Sequence, residues 1–127
     1  MAVTKASPVT GHRPGTDAII FRFTAGGTIA AGDIVANGNG SSGVIACDGN
    51  GTAANHRVIG IALQSVASGD VVDVVTHGPV VGYTGCTVGA LIYADDTTAG
   101  LPSESAATNA NPVGWARDAN TVFVQPR

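Results

Sequence analysis

Apolar residues in this chain recur with a period of two, in short bursts broken by glycine. The first is Ala18–Ile19–Ile20–Phe21–Arg22–Phe23, in which Ile19, Phe21 and Phe23 alternate with Ala18, Ile20 and Arg22, so that one face is wholly apolar. Gly26–Gly27 breaks it. Further bursts predict strands over Ile29 to Ala36, Gly43 to Cys47, Arg57 to Leu63, Val71 to Thr76, Val80 to Tyr83, Ala90 to Ala94, Val113 to Ala116 and Thr121 to Val124. Turn chemistry stands between them, at Asn37–Gly38, Asp48–Gly49, Ser68–Gly69–Asp70, His77–Gly78–Pro79 and Asp118–Ala119–Asn120. The succession predicts an all-β fold, a compact β-sandwich or partly open β-barrel of short strands. Pro102 to Ala110 reads as a loop holding at most a short helix, ended by Asn109, Asn111 and Pro112. Residues 1–16 carry Pro8, Gly11, Pro14 and Gly15 with no apolar period and predict an extended N-terminal arm, leaving 17–127 as a single β domain.

Two short units recur. Ala31–Gly32–Asp33–Ile34–Val35 is echoed by Ser68–Gly69–Asp70–Val71–Val72 and more faintly by Val88–Gly89–Ala90–Leu91–Ile92. Val44–Ile45–Ala46, Gly60–Ile61–Ala62 and Gly114–Trp115–Ala116 form the second set. The Gly-Asp unit is a tight turn feeding a strand: Gly takes a positive φ and the carboxylate accepts local N–H groups. The spacing is irregular, so this is repeated hairpin chemistry and not a solenoid.

Composition sharpens the class. Val and Ile occur throughout, while Leu is confined to positions 63, 91 and 101, and branching at Cβ suits a pleated surface better than a helix. Charged residues are 12% of the chain, against about 25% on average, so much of the surface must be small or apolar, as in a protein that lives in an assembly. The net charge is −3, and Lys5, Arg13, Arg22, Arg57, Arg117 and Arg127 are dispersed, which leaves no stripe to neutralise a run of phosphates and excludes a nucleic-acid partner. Met1 to Pro8 has no apolar h-region, so no secretory signal is expected, and no apolar run approaches the roughly 20 residues of a membrane span. Cys47 and Cys86 form no CxxC and read as two buried thiols of a chain folded in reducing cytoplasm.

The motifs that would carry chemistry do not hold. Gly38–Asn39–Gly40–Ser41–Ser42–Gly43 satisfies GxGxxG, but a dinucleotide site needs that loop to open a helix, and a short strand follows instead. Asp48–Gly49–Asn50–Gly51–Thr52 begins like a calcium loop, yet Ala53 stands where the glycine belongs and Ile59 where the bidentate acid belongs. Asp95–Asp96 offers oxygens that a solvated turn explains equally well. His12, His56 and His77 share no metal-ligand spacing. No serine sits in a G-x-S-x-G elbow, the single glutamate, Glu104, lies in a loop, and no pair stands out among nine acids. The reading is therefore no enzyme, no cofactor and no metal. Trp115, the sole tryptophan, is either a core anchor of the last hairpin or an interface anchor.

Ala31 to Val35, then Gly60–Ile61–Ala62, then Ala67–Ser68–Gly69–Asp70–Val71–Val72–Asp73–Val74 leading to Gly78 appear in an ordered series. It continues through Val88–Gly89–Ala90–Leu91–Ile92–Tyr93–Ala94–Asp95 and closes with Val113–Gly114–Trp115–Ala116 and Val122–Phe123–Val124. In that order the motifs resemble the small head-decoration, or capsid cement, proteins of tailed bacteriophages. The resemblance implies a structural virion protein on the outer surface of an icosahedral head, made in the host cytoplasm, with the major capsid protein and itself as partners, a trimer being favoured. It carries over no catalytic residue. The local positive charge of the arm nominates Lys5, Pro8, His12, Arg13 and Pro14 as interface residues. Two other classes remain: a β-sandwich ligand- or carbohydrate-binding module, for which exposed aromatics are few, and a small β-barrel enzyme. A barrel-sandwich carrier domain fails, because it needs a lysine at a hairpin tip and Lys5 lies in the arm.

Overall fold

Period-two patterning becomes strand throughout the computed structural model, which describes residues 3–5, 13–14, 17–37, 43–51 and 57–126. In chain order the strands are β1 (Thr4–Lys5), β2 (Arg13–Pro14), β3 (Ile19–Thr24), β4 (Ile34–Asn37), β5 (Val44–Ala46) and β6 (Val58–Ala62). They continue with β7 (Val71–Val81), β8 (Tyr83–Thr84), β9 (Leu91–Ala94), β10 (Pro102–Ser103), β11 (Gly114–Asp118) and β12 (Thr121–Val124). Eight of them run β10-β9-β11-β12-β7-β6-β4-β5 in one antiparallel sheet curled into a half-barrel, so the fold is all-β, and among the described residues there is no helix. β2 and β3 pair with β7 beside this path, and β1 pairs with β8.

β7 organises the sheet. Two strands were expected there with a turn at His77–Gly78–Pro79; instead one 11-residue strand runs through it. Its first half pairs with β3 and β6, and its second half with β12 and β2. Gly78 makes the passage possible. Its φ is 115°, and a Cβ there would lie 2.7 Å from the Cα of Ala18, where the incoming chain crosses. The Gly-Pro pair thus marks a change of partners within one strand.

The recurring Gly-Asp unit is one structure used repeatedly. Asp33 N–H donates to the Ala30 carbonyl (3.0 Å), Asp70 N–H to Ala67 (3.1 Å) and Ala90 N–H to Thr87 (3.0 Å). The third residues, Gly32, Gly69 and Gly89, have φ of 86°, 92° and 84°, the geometry of a type II turn. In the two Asp versions the carboxylate accepts the N–H three residues back, from Ala30 at 2.9 Å and Ala67 at 3.3 Å. A fourth copy, closed by Leu101 N–H on Thr98 with Gly100 at φ 84°, was not visible as a repeat. Because a turn occupies 30–33, β4 begins at Ile34 rather than at Ile29, which makes only an isolated bridge to Val66.

The stretch read as a loop with at most a short helix, Pro102 to Ala110, holds no helix. Pro102–Ser103 pairs with Tyr93–Ala94, and the residues after it bond outward. Ser105 N–H donates to Ser103 Oγ (3.0 Å), Thr108 N–H to Asp96 (3.0 Å) and Asn109 N–H to the Gly49 carbonyl (2.9 Å). Side-chain acceptors and a distant backbone carbonyl stand in place of a helical ladder.

Two apolar clusters result. The larger packs β4, β6 and β7 against β9, β11 and β12 through Ile34, Ile61, Val75, Val80, Ile92, Ala116, Val122 and Val124, all fully buried. The smaller lies on the opposite face of β4, β6 and β7 and joins Ala25, Ile29, Val35, Val44, Ala62, Val72 and Val74. Burial of each such Val or Ile contributes roughly 1.5–3 kcal/mol.

Candidate functional site

Alternation sends one set of side chains from β9, β11 and β12 inward and leaves the other set outside. Ile92, Ala94, Ala116, Val122 and Val124 are completely buried. Register then places the outward set side by side: Leu91 faces Trp115, Trp115 faces Phe123, and Phe123 faces Pro79. The Trp115 and Phe123 rings stack with centroids 5.3 Å apart and planes at 27°. His77 meets Phe123 edge-on at 5.3 Å and 85°, and Ile19 sits opposite His77 on β3. These contacts draw an apolar, aromatic band across five strands, with Leu91 37% and Ile19 50% exposed at its ends. Trp115 and Phe123 are half-buried, so Trp115 anchors the last hairpin from outside the core. Each ring contact adds about 0.5–1.5 kcal/mol beyond area burial.

The band contains no Asp, Glu, Lys or Arg. Among the described residues two ion pairs lie on its strands, Arg22–Asp73 at 3.1 Å and the half-exposed Arg117–Asp118 at 3.9 Å. An aromatic centre with charged groups at its margin suits a protein partner, because such interfaces have an aromatic core and a polar rim.

The other candidates fare differently. Lys5 lies in β1 and Arg13–Pro14 forms β2, so their backbone lies along the single stretch Val80–Thr84. Pro8 and His12 fall outside the described residues, as does His56. His77 belongs to the band. Residues 38–42 of the glycine-rich loop are likewise outside, and Gly43 leads directly into β5. Asp48 accepts the Asn50 N–H (3.1 Å). Asp95 accepts from Thr97 (3.0 Å) and Thr98 (2.8 Å), and Asp96 takes both the N–H and the hydroxyl of Thr108. Those bonds hold the Asp96 carboxyl below its ordinary range. These acids serve as turn acceptors. Among the described residues no three His, Cys, Asp or Glu side chains converge as metal ligands would.

Cys47 and Cys86 are both free and buried. Burial, reinforced by Asp48, pushes the Cys47 thiol up to about 12. Burial, with Glu104 and Asp118 nearby, pushes Cys86 up to about 11. Thiols held protonated in this way are poor nucleophiles and poor metal ligands. Tyr83 is fully buried, and its hydroxyl donates to the Gly32 carbonyl at 2.7 Å, tying the first Gly-Asp turn to β8.

The band was legible only in part. Trp115 stood out as the sole tryptophan, but its partners lie on other strands, and nothing local joins Leu91, Phe123, His77 and Ile19. No curated protein and no solved structure matches the chain. Residues 12–122 match the family model described as phage cement protein, a span that reaches from the N-terminal segment into β12, and the chain belongs to that family.

Proposed function

We propose that this protein decorates the outer surface of an icosahedral phage head and cements neighbouring major capsid subunits, acting as a homo-oligomer with a trimer the favoured form. The observation that carries the reading is the apolar, aromatic band centred on Trp115, in a chain of the cement family. Its role is structural, without catalysis, and its site of action is the virion surface after assembly in the host cytoplasm. Cement works by linkage: a ligand that binds the assembled lattice and not the dissociated subunits stabilises the lattice by RT ln(1 + [L]/Kd). Residues 1–16 supply a second contact, through Lys5, Pro8, His12, Arg13 and Pro14. Pairing of Thr4–Lys5 and Arg13–Pro14 with Val80–Thr84 keeps that contact close to the domain.

Co-sedimentation of purified protein with undecorated heads tests both surfaces. Trp115→Ala should leave the fold intact and weaken occupancy at least tenfold, about 1.4 kcal/mol. Deleting residues 2–14 should weaken it similarly and also lower the melting temperature, because Val3, 6% exposed, belongs to the larger core. Full occupancy by Trp115→Ala would remove the band from the interface.

A further inference from the structure

β3 is an edge. Among the described residues it pairs with β7 alone. Ile19, Ile20 and Phe21 follow one another along it, 50%, 42% and 57% exposed, and alternation sends them to both faces of the sheet. A flat partner would cover one face and leave the other wet, whereas an added strand covers both. Soluble chains usually blunt such an edge with charge, proline or a bulge in the edge strand. Here the one charge, Arg22, is already paired with Asp73 at 3.1 Å, and the bulge lies in β7, at Thr76, opposite the step from Ile19 to Ile20.

We propose that a second copy of this chain pairs with β3, antiparallel and edge to edge, about a two-fold axis at Ile20. Ala25 N–H donates to Asp70 at 2.8 Å and the Ala25 carbonyl accepts from Gly69. Odd positions of β3 therefore turn their backbone groups toward β7, and Ile20 and Arg22 turn theirs to the free edge. An axis at Ile20 makes Ile20 exchange two hydrogen bonds with its own copy. It also sets Ile19 of each chain against Phe21 of the other. All three exposed side chains then meet apolar partners. Moving the axis by one residue sets a charge against one of them: Asp17 against Phe21 in one direction, Arg22 against Ile20 in the other. This self-matched register, which sets Arg22 against Ala18 and Asp17 against Phe23 and so keeps charge away from the three exposed side chains, is what selects a second copy as the occupant.

The size of the contact sets its strength. Large apolar side chains carry about 150–250 Å² each, so three half-exposed ones per chain bury a few hundred Å² in all. That falls short of the roughly 1,200–2,000 Å² of a stable interface. The pairing is weak in dilute solution and forms where copies are held at high local concentration. It stands independently of the capsid reading.

Sedimentation velocity on the full chain, from about 10 μM to about 1 mM, should show a concentration-dependent doubling of the resting species that Ile20→Lys weakens at least tenfold. Circular dichroism of that variant should match the parent, since Ile20 is exposed. Ile19→Cys and Phe21→Cys variants, mixed under mild oxidant, should cross-link to each other about tenfold faster than either does to itself, as cysteines directly opposed in an antiparallel pair lie within disulfide reach. Absence of both doubling and cross-linking, doubling indifferent to Ile20→Lys, or self-cross-linking as fast as the mixture would each overturn the proposal.

Discussion

Replacing Gly78 by alanine perturbs the one point where β7 changes partners. Two costs add there. A residue with a side chain at positive φ costs about 1–2 kcal/mol, and at 115° Gly78 lies beyond the usual left-handed well. The new Cβ would also stand 2.7 Å from Ala18 Cα and 3.1 Å from the Asp17 carbonyl oxygen. Both are backbone atoms, so no side-chain rotation relieves the contact, and β3 or β7 must shift. The sum is roughly 3–5 kcal/mol, a large part of the 5–15 kcal/mol of a typical domain. Gly69→Ala is the control. Its φ is 92°, but its Cβ would meet nothing within 4 Å, so only the conformational cost of about 1–2 kcal/mol applies. Urea unfolding followed by Trp115 fluorescence measures both. Equal losses for the two variants would refute the claim that chain crossing at Ala18, rather than backbone conformation, fixes glycine at position 78.

Tyr83→Phe removes the donor to the Gly32 carbonyl and should cost about 1–3 kcal/mol in the same assay; a neutral outcome would mean that the buried turn finds another donor. Stability should also fall as pH rises past about 9. Cys47 and Cys86 have folded values raised to about 12 and about 11, so their contribution is complete below the unfolded value of 9.0 and is lost on approach to the folded values. Cys47→Ala should flatten that limb of a melting-temperature profile, and an unchanged limb would contradict burial of the thiol. At the acid end Asp96 and Asp118 are held below 3.8, so what they contribute is present above that value and fades as pH falls through their folded values. Asp96→Asn should therefore weaken the acid dependence of the chemical shift of the Thr108 amide.

The all-β class and most strand centres were legible because β-branched alternation and Gly-Asp turns are local signals. The Gly-Asp recurrence proved to be a shared turn down to its carboxylate bond. Misreadings arose where partners are distant in sequence. Gly78–Pro79 has the composition of a turn, and only the crossing of Ala18 shows why the strand continues. The stretch 102–110 has helix-permitting alanines, but its acceptors come from Asp96 and Gly49. Nor does Ile19–Ile20–Phe21 reveal locally that it forms an edge: apolar alternation says that a face will be covered, not by which molecule. The band around Trp115 is likewise a product of register among strands.

Cementing, as proposed, means that this chain stabilises a phage head by binding its assembled lattice. The decisive test is to heat decorated heads, heads stripped of the protein and stripped heads refilled with purified protein while following DNA release with an intercalating dye. Stripped heads should release DNA at a lower temperature, and refilling with the parent chain should restore the higher one while the Trp115→Ala variant restores it only in part. Release at one common temperature in all three preparations would contradict the cementing role.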